Sequence, residues 1–250
     1  MSTIELSTIA LITGANRGLG LATATALART GATVIIAGRD FEAASAAAEG
    51  LVAQGLRAEP LELDVASPTS VAAGAAAVES RHGRLDILVN NAGILPEATS
   101  ETEHEFVDLG AFARTFETNV LGVATVTEKF LPLLRRSDAG RIVNVSSTMG
   151  SLRDQTDENS PYYSSVVPAY QASKAAVNSM TIGLSKQLAG TRLKVTSVCP
   201  GWVQTDLAPG NREHAPTTAE EAARVVVTAA TLPAHAASGT FIDSAGPVAW

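Results

Sequence analysis

The sequence predicts an α/β chain, one doubly wound domain over residues 1–250 on a parallel sheet of about seven strands. Two observations predict it. Short β-branched, apolar runs recur along the chain, and Ala-rich segments of helical length separate them. The runs are apolar almost throughout rather than alternating, as strands must be when helices cover both sheet faces.

In chain order, Ile9–Ile12 reads as a strand and Gly18–Thr30 as the helix after it. Thr33–Ile36 and Phe41–Gln54 repeat the pattern. Leu61-Glu62-Leu63 is a weaker strand. Pro68–His82 is a helix, with Ser67-Pro68 as its start signal. Leu85–Val89, the long helix Leu109–Arg135, Arg141–Val145, Ala169–Ala189 and Lys194–Val198 follow. Thr218–Leu232 opens on Thr217-Thr218 with Glu220-Glu221 in its first turn, and Thr240–Ile242 is a last, weaker strand. Strand, helix, strand in this order implies right-handed βαβ crossovers. No linker or internal repeat divides the chain. Three stretches interrupt the alternation: Ile94–Asp108, Gly150–Pro168 and Gly201–Pro216. Each follows a strand C-terminus closely, at the sheet edge where open α/β folds bind ligands.

A chain of 250 residues can bury about three quarters of its unfolded surface. Its 46% hydrophobic and 17% charged composition is globular. The net charge of −7, without a long basic run, argues against nucleic acid and anionic membrane as partners. Cys199 stands alone, so no intrachain disulfide forms, which fits a reducing cytosol. His82, His104, His214 and His235 lack ligand spacing, so no metal is expected. Met1–Ser7 carries no basic region leading into an apolar stretch, and no apolar run approaches the ~20 residues that span a bilayer. The expectation is a cytoplasmic protein acting on a small molecule.

The glycine loop Thr13-Gly14-Ala15-Asn16-Arg17-Gly18-Leu19-Gly20 follows the first strand and opens the first helix. Glycines there permit a tight turn and let backbone N–H groups approach a pyrophosphate. The spacing is G-x-x-x-G-x-G rather than the general G-x-G-x-x-G fingerprint of Rossmann domains. Such turns are common alone; the strand before and helix after give this one weight. At the end of the second strand, an NAD enzyme places an acidic residue for the ribose 2′-OH. Here Gly38 occupies that position and Arg39 follows, while Arg17 sits in the glycine loop. Guanidinium groups suit a 2′-phosphate, so the cofactor expected is NADP(H). Asp40 counts against this reading unless it caps the helix that starts at Phe41.

Tyr170 and Lys174 are four apart at the start of a predicted helix and share one face. A cation about 4 Å from a phenol is worth roughly 4 kcal/mol at an effective dielectric of about 20, enough to bring it towards neutral working range. Y-x-x-x-K arises readily by chance, but Tyr162 and Tyr163 are followed at that spacing by Val166 and Val167.

Together these motifs resemble the short-chain dehydrogenase/reductase family over nearly the whole chain. The glycine loop matches in spacing. Asp64-Val65 is similar to the family's adenine-contacting pair, and Asn90-Asn91-Ala92-Gly93 to its N-N-A-G segment. Asn119 in Thr118-Asn119-Val120, Ser147 in Val145-Ser146-Ser147-Thr148-Met149-Gly150, Tyr170 and Lys174 match the catalytic tetrad. Pro200-Gly201 matches the nicotinamide-side turn. The resemblance implies hydride transfer from NADPH to a carbonyl carbon, with Tyr170 donating a proton to the forming alkoxide. It implies that Ser147 bonds the carbonyl oxygen, and that Lys174 bonds the nicotinamide ribose and lowers the tyrosine pKa. Asn119 would hold a water linking Lys174 to solvent, and Thr205 would bond the carboxamide. Cofactor contacts are implied for Gly14, Asn16, Arg17, Gly18, Leu19, Gly20, Arg39, Asp64, Val65, Asn91, Ala92, Gly93, Tyr170, Lys174, Pro200, Gly201, Val203 and Thr205. Ser146 rivals Ser147; strand alternation does not separate them, and the family's spacing favours Ser147.

Ser147 and Tyr170 stand 23 positions apart, wider than the family's usual interval. The extra segment, 151–168, is similar to insertions in the carbonyl-reductase-like branch, which includes monomers. Arg39-Asp40 and the terminal Gly246-Pro247-Val248-Ala249-Trp250 resemble that branch too. Monomer, dimer and tetramer therefore stay open. The segment is either a solvated loop or part of a substrate lid, with Tyr162, Tyr163 and Trp202 as walls beside Ser147 and Tyr170. The implied activity is that of a carbonyl reductase or alcohol dehydrogenase for a ketone, aldehyde or quinone. The alternatives are an NADP-binding regulator without turnover and an isomerase or epimerase on the same fold.

Overall fold

The structure is a computed structural model that describes residues 8–99 and 104–250. The reading of Met1–Ser7 and the middle of the Ile94–Asp108 stretch lie outside the described residues.

The order is β1 (Ile9–Thr13), α1 (Gly18–Arg29), β2 (Thr33–Gly38), α2 (Phe41–Val52), β3 (Ala58–Glu62), α3 (Pro68–His82), β4 (Ile87–Asn90), α4 (Leu109–Phe116), α5 (Gly122–Leu134), β5 (Arg141–Val145), α6 (Leu152–Gln155), α7 (Pro168–Gln187), β6 (Lys194–Val198), α8 (Asn211–His214), α9 (Ala219–Ala230), β7 (Thr240–Asp243) and β8 (Gly246–Pro247). The sheet runs β3-β2-β1-β4-β5-β6-β7-β8, parallel except for the short β8. This is the expected doubly wound Rossmann domain, with one antiparallel strand added at the C-terminal edge.

Strand alternation divides the core. Ala10, Ile12, Val34, Ile36 and Val89 face α1, α2 and α9 through residues such as Leu27, Leu51 and Val226. Leu11, Ile35, Leu88, Ile142 and Val195 face α3, α5 and α7 through Val78, Phe130 and Leu184. Asp40 caps α2 by accepting the Ala43 N–H, which accounts for the acidic residue beside Arg39. Thr218 and Glu221 form a capping box on α9.

Two elements depart from the sequence reading. The expected helix Leu109–Arg135 is interrupted by a π turn at Glu117–Leu121, which separates α4 from α5 and contains Asn119. Its hydrophobic period continues across the insertion, so periodicity did not reveal it. The third strand begins earlier than Leu61, because Ala58, Glu59 and Pro60 pair in register with Val34, Ile35 and Ile36. Pairing there overrides weak local strand propensity. The segment 151–168 holds α6 and successive turns.

Candidate active site

The strand order reverses between the parallel neighbours β1 and β4, and the C-terminal ends of these strands form one crevice. Thr13 joins them. Its hydroxyl donates to the Val89 carbonyl (3.4 Å) and accepts the N–H groups of Asn91 and Ala92, both at 3.0 Å. The Asn91 carboxamide donates to the Thr13 (2.8 Å) and Gly14 (3.2 Å) carbonyls. Asn91 therefore holds the glycine loop in place. Gly14 and Gly18 take positive φ values of 63° and 54°, where a side chain would be strained. A Cβ on Gly20 would lie 2.4 Å from the Gly14 carbonyl oxygen, so only glycine lets α1 start this close to the loop. Leu19 packs on the core.

At the end of β2, a Cβ on Gly38 would meet nothing nearer than Asn16 Oδ1 at 3.7 Å. Arg39 beside it is exposed. Arg17 is also exposed, and pairs at 3.5 Å with Asp206, which in turn pairs with Arg212. Asp64 accepts the Ala66 N–H, and Val65 lies against α5, where a Cβ on Gly122 would come within 3.0 Å of it.

The other side of the crevice is built on α7. Tyr170 and Lys174 are both buried, and the lysine Nζ lies 5.4 Å from the Tyr170 ring centroid. Lys174 donates to the Val145 carbonyl at 2.8 Å, at the end of β5. Burial, with a smaller contribution from Cys199, pushes the phenol well above its ordinary pKa. Burial lowers the ammonium to about 8. Desolvation of the phenolate sets the direction for Tyr170, and desolvation of the ammonium sets it for Lys174.

The π turn aims Asn119 into the same space. Its carboxamide accepts the Ile94 N–H (2.9 Å) and donates to the Ile94 carbonyl (3.0 Å) and the Ser173 hydroxyl (3.1 Å). Gly93 completes this wall: a Cβ there would lie 3.4 Å from Asn119 Oδ1 and 3.7 Å from Lys174 Nζ. The neighbouring serines separate clearly. Ser146 is buried and bonds the Asn178 side chain at 2.7 Å. Ser147 is partly exposed and caps a 3₁₀ turn through the Met149 N–H.

The remaining candidates follow β6 or belong to segment 151–168. Pro200-Gly201 leads from β6, with Gly201 at φ 82°. Val203 is buried and bridges Thr217. The methyl of Thr205 faces Gly18, at 3.3 Å from an added Cβ. Trp202 is half exposed, and its indole N–H donates to Asn211 Oδ1 at 2.8 Å. Tyr163 is exposed. Tyr162 is the more buried tyrosine of that pair; burial raises its pKa, and it hydrogen-bonds Thr148. Among the described residues no group of three or more His, Cys, Asp or Glu could hold a metal, and no helix is long and apolar enough to cross a membrane.

The sequence reading missed Glu97 and Gly150. The Glu97 carboxylate accepts the N–H groups of Ala169 and Tyr170, at 3.0 and 2.9 Å. Its sole sequence signal is negative: Val167-Pro168 begins α7 without a capping side chain. Gly150 meets α7 at Lys174, closer than any side chain allows.

The sequence profile of the short chain dehydrogenase family matches residues 8–216. Short-chain dehydrogenase anuI of Penicillium roqueforti is 39% identical, over 89% of this chain and 88% of that protein. NADPH-bound carbonyl reductase from chicken fatty liver superposes with a TM-score of 0.83 at 26% identity, covering 99% of this chain and 100% of that one. A 3-ketoacyl-(acyl-carrier-protein) reductase from Brucella melitensis, complexed with NADH, gives 0.80 at 27% identity, covering 96% and 98%. With a glycine loop at the strand-order reversal and a buried Tyr-Lys pair beside it, the chain belongs to the short-chain dehydrogenase/reductase family of oxidoreductases.

Proposed function

We propose that the protein is an NADP(H)-dependent carbonyl reductase, or alcohol dehydrogenase in reverse, acting on a ketone, aldehyde or quinone. Tyr170 is its general acid/base. The observation that carries this reading is the buried Tyr170–Lys174 pair, with Asn119 beside it across Gly93, at the crevice where the sheet order reverses.

The residues suit a dinucleotide. Gly14 and Gly18, at positive φ, shape a loop whose N–H groups would meet a pyrophosphate, and Gly20 lets α1 start against it. A Cβ on Gly93 would occupy the space beside Asn119 and Lys174, at ordinary contact distance from both. By the family resemblance, Asp64 and Val65 would meet the adenine end, and Ala92, Pro200, Gly201, Val203 and Thr205 the nicotinamide end. Asn91 supports the site through the glycine loop. Gly38 in place of an acidic residue, followed by exposed Arg39, favours a 2′-phosphate. One structural relative carries NADPH and another NADH, so the preference rests on these residues rather than on the family. When bound, the dinucleotide supplies or accepts the hydride.

The chain's own groups manage the proton. A phenol raised by burial keeps its proton at neutral pH, ready to donate to an alkoxide. Ser146 is committed to Asn178 while Ser147 is partly exposed, which favours Ser147 as the group that holds the carbonyl oxygen where charge develops. Lys174 connects the site to Val145 and Asn119 to Ile94, which fixes the floor. Tyr162, Tyr163 and Trp202 are the walls through which segment 151–168 and the turn after β6 select the substrate.

The test is consumption of NADPH, followed by nicotinamide absorbance, against a panel of ketones, aldehydes and quinones. Oxidation with at least one member is expected. Tight NADPH binding without turnover on the whole panel would instead favour a cofactor-binding regulator.

A further inference from the structure

We propose that Glu97 is a positioning residue for Tyr170: its carboxylate stands in for the missing N-cap of α7 and fixes the turn that carries the phenol. The inference rests on the reading of Tyr170 as the proton-transfer group.

A helix leaves its first N–H groups without internal partners, and a Ser, Thr, Asp or Asn at the N-cap usually satisfies them. The N-cap of α7 is Val167, whose side chain accepts nothing. Pro168 follows and has no N–H. The next two donors, Ala169 and Tyr170, each take one oxygen of Glu97, at 3.0 and 2.9 Å, across 72 and 73 positions of sequence. Gln171 closes the turn locally: its N–H returns to the Val167 carbonyl, and its side chain accepts the Val167 N–H and donates to the Ser165 carbonyl. A carboxylate spread over two adjacent amides resists both sliding and rotation of the turn, and its charge suits a helix N-terminus.

The Tyr170 carbonyl is held from the same loop. It accepts the Ser173 hydroxyl at 2.8 Å, Ser173 accepts Asn119, and Asn119 grips both peptide groups of Ile94. Residues 94 and 97 of one loop thus reach the N–H and the C=O of Tyr170, directly on one side and through two side chains on the other. Both Glu97 oxygens are engaged by backbone, so Glu97 is built to orient the helix rather than to contact substrate. A shift of about 1 Å in a reacting group can cost about a hundredfold in rate; a peptide clamp on the tyrosine guards against that.

The experiment compares the full-length wild type with Glu97→Ala and the double variant Glu97→Ala/Val167→Asp. Aspartate at 167 supplies a cap in cis. Glu97→Ala is expected to lower kcat about ten- to a hundredfold, with KM and the NADPH Kd, read by nicotinamide fluorescence, changed less than about twofold. Amide hydrogen exchange at Ala169 and Tyr170 rises with it, and Val167→Asp restores both kcat and protection. Unchanged kcat overturns the proposal. So does a loss confined to KM that Val167→Asp does not rescue, which would make Glu97 a substrate contact. Should Glu97→Ala not fold, Glu97→Gln, which keeps one acceptor, is read the same way with a smaller loss. If the wild type turns over no carbonyl, the functional reading fails separately, and exchange at the two amides decides the clamp: faster exchange in the variant retains it, unaltered exchange removes it.

Discussion

A Cβ built on Gly150 would lie 2.6 Å from the Cβ of Lys174 and 2.5 Å from its carbonyl carbon, so the turn that carries Ser147 rests directly on the helix that carries Tyr170. Backbone lines both sides of this contact and cannot swing away. Gly150→Ala is therefore expected to destabilise the protein by about 1–3 kcal/mol, as overpacking does, and to depress kcat by parting Ser147 from Tyr170. Urea unfolding and steady-state kinetics check it; a variant with wild-type midpoint and rate would mean the turn yields freely.

The two adjacent serines should fail in different ways. Ser146→Ala removes a buried partner of Asn178 and is expected to cost about 1–3 kcal/mol of stability. Ser147→Ala removes a partly exposed hydroxyl, leaving stability near wild type while kcat falls about 10²–10³-fold. Thermal melts beside turnover separate them, and the reverse pattern would hand the catalytic role to Ser146.

Lys174 sets a pH dependence with a definite sign. Its pKa falls from 10.5 to about 8 on folding. Between these values the unfolded chain binds more protons, so stability rises with pH across this window. Below about 8 both states are protonated and the burial cost is constant. Lys174→Met lacks this rise, so wild type should gain on the variant from about pH 8 to 10.5, by at most roughly 3 kcal/mol. Denaturation at several pH values reads the difference; a wild-type stability that falls relative to the variant as pH increases would contradict the assignment.

Arg39→Ala should weaken NADPH much more than NADH, because one guanidinium–phosphate contact is charge-assisted and the ribose hydroxyl has no use for it. Paired titrations of both cofactors measure this. Equal losses would place the 2′-phosphate elsewhere.

Much of this was legible in the sequence because it depends on local rules. Continuous apolar runs identified the parallel strands, and a glycine loop between strand and helix located the crevice. Four-residue spacing put Tyr170 and Lys174 on one face. Asp40 was readable as a cap because its partner, Ala43, lies three residues away. The illegible parts are those whose partners are distant. Glu97 meets Ala169 across the fold, and nothing near Glu97 announces it. Gly150 looks like any turn glycine until α7 is laid against it. The π turn adds a residue without disturbing apolar spacing. The direction of the Tyr170 shift also needed three dimensions, since it depends on how deeply the phenol is buried.

The most direct measurement is turnover and NADPH affinity of Tyr170→Phe, which deletes one oxygen and keeps the ring that packs beneath Lys174. Carbonyl reduction should disappear while the NADPH Kd stays near wild type. Retained turnover would show that the proton comes from another group and would contradict the account.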